Sequence, residues 1–312
     1  MAKNLLSIND LTKDEILELI NFSNSFIDDE GNFRKENLFP DKIVANVFFE
    51  PSTRTKMSFA VAAGNLGCNV LDFNIDSSSV QKGESIFETI DALNLMGVDL
   101  CVLRHPDSVI RELAEHMPDM VFVNAGEGSI SHPTQALLDA LTILKRKKQI
   151  SGLKVAICGD ILHSRVARSN IHLLNTLGAE VRVIAPATLI PKGIESLGVR
   201  VFYDMKNGLK DVDIIIMLRL QLERMSGSFV PSIREYFRFY GLDREKLNFA
   251  KHDALILHPG PMNRGGEIDS ELADDIDRSA IFEQVQMGVA VRMACLKAII
   301  DNKIIICLEN KR

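Results

Sequence analysis

Short apolar runs alternate with amphipathic stretches along most of the chain, and this alternation constrains the fold more than any other feature. In the first half the apolar runs cover residues 42–50, 69–74, 99–103 and 120–124. In the second half they cover residues 154–159, 180–185, 212–218 and 254–258. Stretches of helical length separate many of these runs, as in βαβ units with a mostly parallel sheet. The pattern therefore predicts an α/β protein.

The same rhythm restarts once, which predicts two domains. The cationic stretch 145–149 suits the C-terminal end of a helix, and Ser151-Gly152 then punctuates the chain. A length of 312 residues also exceeds what one hydrophobic core usually supports. We expect two doubly wound domains over residues 1–150 and 151–283, each a mostly parallel sheet flanked by helices. A final helix over about residues 284–312 is long enough to pack back on the first domain.

Composition excludes several classes of protein. Hydrophobic residues make up 46% and charged residues 25% of the chain, which is ordinary for a globular protein and unlike a disordered or coiled-coil chain. With 36 basic and 42 acidic residues the formal net charge is −6, so no nucleic-acid partner is expected. No apolar stretch approaches the roughly 20 residues that cross a bilayer, and the N-terminus does not resemble a signal peptide. We therefore expect no membrane partner.

The cysteines indicate the compartment. They are Cys68, Cys101, Cys158, Cys295 and Cys307. Because they are scattered, odd in number and never in a CxxC pattern, we expect neither a disulfide framework nor a zinc site. Most should be small buried apolar residues in a reducing environment. These features predict a cytoplasmic, soluble, metal-free protein.

Unusual polar clusters follow the predicted strands, at the sheet end where open α/β sheets bind ligands. In the first half they are Ser52, Thr53, Arg54, Thr55, Arg104, His132 and Gln135. In the second half they are Arg165, Arg219, Gln221 and the segment Pro259-Gly260-Pro261. Several arginines that converge on one crevice need anionic partners, which predicts a substrate with phosphate or carboxylate groups.

The segment 52–55 is the strongest single candidate for an anion site. A strand that leads directly into a helix leaves free backbone N–H groups at the positive end of the helix dipole. The hydroxyls of Ser52, Thr53 and Thr55 add donors, and Arg54 adds a guanidinium that matches phosphate oxygens. The alternative is a helix cap, but three hydroxyls around one arginine exceed what capping needs.

Simpler structural roles compete with function elsewhere in the first half. His132 could merely cap the helix that follows it, and this role has about equal weight with donation to a carbonyl oxygen, in which Gln135 would share its face. Arg104 could form a surface salt bridge at its strand end. Lys82 lies in a polar loop, and from the residues alone it would be a solvated lysine.

The second half leaves similar alternatives open. Arg165 and Arg168 lie three apart on one predicted helix, and one of them could be a surface residue. Arg219 and Gln221 share one side by strand alternation. An exposed strand terminus explains the last two almost as well as a binding role does.

Several familiar motifs are absent from the chain. The turn after residues 154–159 has one glycine where a dinucleotide-binding fingerprint has three. There is no GxxxxGK[ST] phosphate loop, GxSxG elbow or HExxH zinc helix. These absences disfavour an NAD-linked oxidoreductase, a kinase and a hydrolase. A non-catalytic two-lobed binding module for phosphate ligands is disfavoured because such proteins are usually exported, and no signal peptide is expected here.

Five motifs together resemble the aspartate/ornithine carbamoyltransferase family. They are FEPSTRT at 49–55, KGE at 82–84, LRHP at 103–106, HPTQ at 132–135 and HPGP at 258–261. They occur in order and the total length fits, so the resemblance covers essentially the whole chain. STRT and HPTQ together are highly specific, whereas either alone would be weak.

The resemblance implies a role for each cluster. Residues 1–150, with the returning helix, would bind carbamoyl phosphate, and residues 151–283 would bind L-aspartate. The implied carbamoyl-phosphate ligands are Ser52, Thr53, Arg54, Thr55, Ser78, Arg104, His132 and Gln135. The implied aspartate ligands are Lys82, Arg165, Arg219, Gln221, Gly260 and Pro261. The implied catalytic set is Arg54, Thr55, Lys82, Arg104 and His132.

The implied reaction transfers the carbamoyl group of carbamoyl phosphate to the α-amine of L-aspartate, in pyrimidine biosynthesis and without a cofactor. In this family Lys82 and a serine of the preceding loop, here Ser78, come from the neighbouring subunit, which implies a homotrimer with shared active sites. The resemblance leaves open whether regulatory or dihydroorotase chains join a larger assembly. Closure of the two halves is expected, with residues 221–239 as a mobile aspartate loop.

The chain departs from the family pattern at one position. Gly260 stands where many members carry a larger residue, and contacts through the backbone tolerate this change. Ornithine-specific relatives would have His-Cys-Leu-Pro near residue 258, and this chain lacks that cysteine. Arg219 also argues against a cationic second substrate, so aspartate is the expected acceptor.

Overall fold

A computed structural model describes residues 4–28, 30–73, 75, 78–221 and 232–301. The chain divides into two compact units, which we call unit 1 and unit 2. Unit 1 comprises residues 1–138 together with 285–312, and unit 2 comprises residues 139–284. This division concerns compactness only, and the assignment of one substrate to residues 1–150 and the other to 151–283 stays a prediction.

Unit 1 contains a parallel sheet of four strands. They are β1 (Ile43–Phe48), β2 (Asn69–Phe73), β3 (Leu100–His105) and β4 (Val121–Glu127). The helices are α1 (Lys13–Ser23), α2 (Thr53–Asn65), α3 (Ile86–Leu95), α4 (Ile110–His116) and the parts within unit 1 of α5 (Pro133–Lys147) and α11 (Ile281–Ile300). The spatial order is β2-β1-β3-β4, so the order reverses between β1 and β3.

The core of unit 1 explains why its central strands read as apolar runs. Val44, Ala45 and Val47 of β1 are fully buried, because helices flank the parallel sheet. The C-terminal helix α11 packs on the same unit: the Arg292 guanidinium lies 4.9 Å from the centre of the Phe59 ring in α2. The predicted return of the last helix to the first domain is thus confirmed over its described part.

Unit 2 contains a parallel sheet of five strands. They are β5 (Lys154–Cys158), β6 (Glu180–Ile184), β7 (Arg200–Phe202), β8 (Ile214–Met217) and β9 (Leu255–Leu257). Its own helices are α6 (Arg165–Thr176), α7 (Met205–Gly208), α8 (Ile233–Tyr240), α9 (Arg244–Leu247) and α10 (Ser270–Ala273). The spatial order is β7-β6-β5-β8-β9, which reverses between β5 and β8. The predicted fold class, two parallel sheets flanked by helices, is confirmed.

One glycine of unit 2 is required by close packing at the end of β5. Gly159 has a φ of 126°, a backbone conformation that other residues rarely adopt. A Cβ atom at this position would lie 2.6 Å from the carbonyl oxygen of Leu218, which follows β8. Glycine therefore lets the chain leave β5 directly beside the end of β8.

The described cysteines are buried, as the sequence predicts for most of them. They are Cys68, Cys101, Cys158 and Cys295, and Cys307 lies outside the described residues. Burial raises the pKa of the Cys68 thiol to about 11 and that of Cys295 to about 12. Both are therefore protonated thiols at neutral pH. In the part of the chain that the structure covers, no helix combines the length and the apolar character needed to span a membrane.

Candidate active site

Each sheet reverses its strand order once, and ligands bind beside such reversals at the carboxyl ends of parallel strands. In unit 1 the reversal lies between β1 and β3, where residues 52–55 follow β1 and Arg104 lies near the end of β3. In unit 2 it lies between β5 and β8, where Arg165 opens the helix after β5 and Arg219 follows β8. The structure thus places predicted site residues at the reversal of each unit. Each unit therefore carries one half-site.

Helix α2 presents its N-terminal turn at the end of β1. Ser52 precedes the helix and its hydroxyl makes no capping hydrogen bond, although its carbonyl accepts the Lys56 N–H at 3.0 Å. Thr53 and Arg54 are exposed, Thr55 is buried, and the first turn carries no acidic residue. The capping role considered for Ser52 is therefore not the one that the structure adopts. A cationic helix end with N–H groups and hydroxyls can bind an anion.

Arg104 lies in β3 directly beside Phe48 of β1. Its Nε is 3.2 Å from Oε2 of Glu50, and the exposed fractions of the two side chains are 14% and 17%. Its Nη1 donates to the Ala125 carbonyl at 3.5 Å. The salt bridge considered from the sequence therefore exists, but it is largely buried rather than on the surface. It holds the Arg104 guanidinium near the chain that leads into α2.

Glu50 was not among the predicted site residues. Its carboxylate partly offsets the charge of Arg104 in a poorly hydrated place. The available signal was its position, since an acidic side chain directly follows an apolar strand inside the FEPSTRT motif.

His132 and Gln135 reach the same end of the sheet from β4. The chain turns back after β4 through a bridge between Glu127 and Ser131, which brings His132 next to the strand end. Pro133 is the first residue of α5, and the His132 carbonyl accepts the Gln135 N–H at 3.1 Å. His132 and Gln135 are only 4% and 7% exposed. Hydrogen bonds that such buried side chains make to a ligand are stronger than they would be in water.

Ser78 and Lys82 lie farther out, in the loop after the edge strand β2. The Ser78 hydroxyl donates to the Ile75 carbonyl at 2.8 Å. Lys82 ends a 3₁₀ turn over Ser79–Lys82, and its side chain is exposed. Within one chain these two predicted residues therefore belong to the edge of the sheet rather than to the reversal between β1 and β3.

In unit 2, a buried carboxylate organises the chain at the reversal. Asp160 is fully buried and accepts hydrogen bonds from the His163 ring Nδ1 at 2.9 Å and from the Gln221 N–H at 3.2 Å. The Gln221 amide Nε2 in turn donates to the His163 carbonyl at 3.0 Å. The predicted residue Gln221 is thereby tied to the turn between β5 and α6. Asp160 had no predicted role, although it directly follows the strand-end glycine.

The arginines of unit 2 flank this turn. Arg165 is the first residue of α6 and is 6% exposed, and the helix is capped by Ser164, whose hydroxyl accepts the Ala167 N–H at 3.1 Å. Arg219 and Gln221 are half-buried on either side of the buried Leu220, as the predicted alternation requires. Neither is as exposed as a free strand terminus would be.

The HPGP segment follows β9, the neighbour of β8. Gly260 has a φ of 63°, and its N–H donates to Nδ1 of His258 at 2.9 Å. Nε2 of His258 donates to Oε1 of Glu267 at 3.2 Å. Because Nδ1 accepts and Nε2 donates, these hydrogen bonds assign the neutral Nε2–H tautomer to His258. The backbone around Gly260 and Pro261 is thus held by a buried imidazole.

Two further expectations concern the loop after β8 and the binding of a metal. The mobile loop expected over residues 221–239 falls largely on residues 222–231, which lie outside the described residues, and its last part belongs to α8. Among the residues that the structure describes, no group of three or more His, Cys, Asp or Glu side chains is placed to hold a metal ion.

Comparison with known proteins gives the same picture from sequence. The model of the carbamoyl-phosphate-binding domain of aspartate/ornithine carbamoyltransferases matches residues 3–145, and that of the aspartate/ornithine-binding domain matches residues 151–299. The chain is 56% identical to the aspartate carbamoyltransferase catalytic subunit of Pelagibacter ubique over 296 residues, which cover 95% of both chains. It is also 56% identical to that of Parvibaculum lavamentivorans over 301 residues, or 96% of this chain and 92% of the relative.

Solved structures agree with the sequence relatives. Aspartate transcarbamoylase from Trypanosoma cruzi in complex with N-(phosphonacetyl)-L-aspartic acid superposes with a TM-score of 0.85 at 30% identity, over 95% of both chains. Ornithine carbamoyltransferase from Thermus thermophilus superposes with a TM-score of 0.83 at 22% identity, over 96% of this chain and 99% of the other. The second likeness concerns the fold alone.

Proposed function

The chain belongs to the aspartate/ornithine carbamoyltransferase family, and on that premise we propose that it transfers the carbamoyl group of carbamoyl phosphate to the α-amine of L-aspartate. The products are N-carbamoyl-L-aspartate and phosphate, as in the synthesis of pyrimidines. The observation that carries this conclusion is the identity of 53–56% to catalytic subunits named for aspartate, over at least nine-tenths of both chains. The Trypanosoma cruzi relative also has a structure with both carbamoyl phosphate and aspartate.

The phosphate end of carbamoyl phosphate would bind at the α2 N-terminus. Free N–H groups, the hydroxyls of residues 52, 53 and 55 and the Arg54 guanidinium all suit a phosphate. Arg104, held by Glu50, would reach the same group from β3. The loss of phosphate as the leaving group adds charge here, so the cationic cluster would stabilise both the bound substrate and the departing anion.

The carbonyl of carbamoyl phosphate would lie between Thr55, Arg104 and His132, with Gln135 at the carbamoyl amide. Three of these side chains are less than a tenth exposed, which supports a poorly hydrated site for developing charge. One preorganised donor to such an oxyanion is worth about 3 kcal/mol. The four groups start from the ends of β1, β3 and β4, which are neighbours in the sheet.

L-Aspartate would bind to unit 2. The guanidinium groups of Arg165 and Arg219 and the amide of Gln221 suit its two carboxylates, and the backbone of Gly260 and Pro261 would shape the pocket. The hydrogen bonds from Gln221 to the β5–α6 turn support this assignment, because they place that side chain beside the start of the Arg165 helix.

The chemistry then needs positioning and charge stabilisation. The α-amine of aspartate attacks the carbonyl carbon, a new N–C bond forms, and the C–O bond to the phosphate breaks. As the tetrahedral intermediate collapses, one proton passes from the amine to the departing phosphate oxygen, so that hydrogen phosphate leaves. Holding two anionic substrates in the right orientation supplies much of the rate enhancement.

We also propose that three copies of the chain form a homotrimer with shared sites, in which Ser78 and Lys82 serve the neighbouring subunit. The exposed position of Lys82 at the sheet edge supports this role. Exposed apolar side chains of α2 and β2 adjoin this edge, as expected for a surface that another copy covers. They are Met57, Val61 and Leu71. A cytoplasmic location is proposed on the composition, and the presence of regulatory or dihydroorotase chains stays open.

The acceptor specificity tests this function. Phosphate release from carbamoyl phosphate is measured with L-aspartate, with L-ornithine and with no acceptor. We expect release that saturates with aspartate and stays at the background rate with ornithine. Saturable release with ornithine and none with aspartate would show that the acceptor has been assigned wrongly.

A further inference from the structure

A line of buried polar side chains crosses unit 2 outside the residues assigned to substrates. Nδ2 of Asn170 donates to Oδ2 of Asp139 at 2.7 Å, and Nε2 of Gln284 donates to Oδ1 of Asp139, also at 2.7 Å. Oε1 of Gln284 accepts the backbone N–H of His258 at 2.9 Å. We call Asp139, Asn170 and Gln284 the amide–carboxylate bridge. All three are at most 3% exposed.

The amide–carboxylate bridge ends on the HPGP segment. Gln284 accepts the backbone N–H of His258. The His258 ring in turn accepts the Gly260 N–H on Nδ1 and donates from Nε2 to Glu267. Oε1 of Glu267 also accepts the Asn263 N–H at 2.5 Å. The backbone on both sides of Gly260 is therefore tied, through His258, to Gln284.

The other end of the amide–carboxylate bridge lies on α6. Asn170 is on this helix, whose first residue is Arg165. The bridge thus joins the helix that carries Arg165 to the segment that carries Gly260. It also joins the two ends of unit 2, because Asp139 is the first residue of that unit and Gln284 is the last.

Burial of these groups has a cost that apolar side chains would avoid. A buried carboxylate is unfavourable unless hydrogen bonds satisfy it, and here two side-chain amides donate to it. Replacing both partners of a buried hydrogen bond by apolar groups of the same shape can be nearly neutral or stabilising. Directional hydrogen bonds, unlike apolar contacts, hold two elements in one register. A role in orientation therefore explains the amide–carboxylate bridge better than a contribution to stability does.

We propose that Gln284, acting through Asp139, is a positioning residue for the second substrate. It sets the placement of the Gly260 backbone relative to the Arg165 helix and does not itself touch substrate. This inference rests on the proposed function, because it assumes that Arg165 and Gly260 bind L-aspartate. The carbamoyl-phosphate half-site in unit 1 contains no member of the amide–carboxylate bridge, so its affinity should not depend on Gln284.

The test compares three variants of the full chain with the wild type. Gln284→Met keeps the length of the side chain and removes both hydrogen bonds. Asn170→Ala is milder, because it removes one donor to Asp139 and leaves the Gln284 hydrogen bonds. Gln286→Met is the matched control, since Gln286 is an exposed glutamine on the same helix. The apparent KM for aspartate, kcat, the affinity for inorganic phosphate and the thermal midpoint are measured for each.

We expect Gln284→Met to raise the KM for aspartate about tenfold, because a misplacement of binding groups by about 1 Å can cost up to about 100-fold. Its affinity for phosphate should equal that of the wild type. Asn170→Ala should raise the KM less, and Gln286→Met should leave it unchanged. A purely structural role would lower the thermal midpoint of Gln284→Met without raising the KM for aspartate selectively.

Three results would overturn the inference. The first is a wild-type KM for aspartate in folded Gln284→Met. The second, should that variant not fold, is a wild-type KM in Asn170→Ala. The third is a loss of phosphate affinity that matches the rise in KM, since the effect would then not be confined to unit 2. A wild-type chain that forms no carbamoyl aspartate would overturn the proposed function itself and this inference with it, whereas an active wild type with unaffected variants would overturn this inference alone.

Discussion

Among the candidate phosphate ligands, Arg54 is an exposed cation at the N-terminus of a helix. It lies in the first turn of α2, its side chain is exposed, and no acidic residue in that turn offsets its charge. The Arg54 guanidinium can therefore offer its full charge to a phosphate dianion, whereas the charge of Arg104, whose Nε lies 3.2 Å from the Glu50 carboxylate, is partly offset. We therefore expect the Arg54 guanidinium to contribute more charge to a bound phosphate than that of Arg104 does.

Substitution of Arg54 tests the phosphate site. We expect Arg54→Ala to lower kcat/KM for carbamoyl phosphate at least about 100-fold, because a charge-assisted hydrogen bond to a reacting group is lost. Steady-state kinetics at saturating aspartate give this value. Arg34→Ala, which removes another exposed arginine of unit 1, should have no effect. Turnover of Arg54→Ala within a few fold of the wild type would exclude this assignment.

The burial of His172 predicts how the stability of the protein depends on pH. Burial, and then the nearby charge of Arg168, lower the pKa of His172 below its ordinary value of 6.5, so the folded protein favours the neutral ring. In the unfolded chain the ring takes up a proton more readily. The free energy of unfolding should therefore fall as the pH decreases through about 6.5, because the unfolded state then binds more protons.

The variant His172→Gln should lose this part of the acid sensitivity. Thermal midpoints measured between about pH 7.5 and pH 5.5 should fall less in His172→Gln than in the wild type. His252→Gln, which changes an exposed histidine, should follow the wild type. Equal falls in all three proteins would show that His172 does not contribute.

Some of the site residues could be recognised from the sequence, and others could not. The segment 52–55 could be recognised because it follows an apolar run and combines hydroxyls with a cation. Asp160 and Gln284 could not, since their roles depend on hydrogen bonds to residues 61 and 145 positions away. A polar residue acquires such a role only when the fold buries it beside its partner.

At the scale of elements, the long apolar runs were the predictable part. The run 212–218 contains β8, and the run 42–50 contains β1. Strand β7 was not predicted, because three residues at a sheet edge leave no pattern to detect. Helix α8 was hidden in a polar and aromatic segment, since only Tyr236 among its residues is fully buried.

The close packing at the end of β5 predicts the effect of substituting Gly159. Gly159→Ala would place Cβ 2.6 Å from the Leu218 carbonyl oxygen at a φ of 126°, so the backbone must shift. We expect a loss of about 3 kcal/mol of stability, at the severe end for one substitution. Gly64→Ala is the control, because a Cβ on this helical glycine meets no atom within 4 Å. It should be neutral or stabilise by about 0.5 kcal/mol.

Thermal unfolding distinguishes these two glycine variants. The midpoint should fall well below that of the wild type for Gly159→Ala and stay level or rise for Gly64→Ala. A Gly159→Ala protein as stable as the wild type would mean that the close approach of β5 to the chain after β8 does not require glycine.

For the whole molecule, active sites shared between subunits can be tested by mixing two inactive variants. If Lys82 serves the neighbouring subunit, Arg54→Ala and Lys82→Ala chains should each be inactive alone. A mixed trimer would then have one interface with both residues intact. Random reassembly of equal amounts should therefore restore up to about one quarter of the wild-type activity.

The matched control for that mixture is Arg54→Ala with His132→Ala, because both residues would serve the site of their own chain. Activity is measured after the two chains have been dissociated and reassembled together. The control mixture should stay inactive. Restoration in neither mixture would contradict the shared sites, and equal restoration in both would show exchange unrelated to Lys82.

The overall charge belongs to this scale as well. The chain has a formal net charge of −6, yet the implied substrates are anions. Arg54, Arg104, Arg165 and Arg219 all lie at or just beyond the strand ends beside the sheet reversals. Within each unit, the local pair of arginines can attract an anion against the average charge of the protein. The ability of the chain to bind anionic substrates therefore depends on where its positive charges lie and not on its net charge.

Identification of the labelled product is the sharpest test of the proposed carbamoyl transfer. Carbamoyl phosphate labelled with ¹³C at the carbonyl is incubated with L-aspartate and the purified chain, and the products are followed by NMR. We predict that the label appears in N-carbamoyl-L-aspartate, together with one phosphate for each product molecule, and that Arg54→Ala abolishes this transfer. Label that enters another acceptor, or that stays in carbamoyl phosphate beyond its spontaneous breakdown, would contradict the assignment.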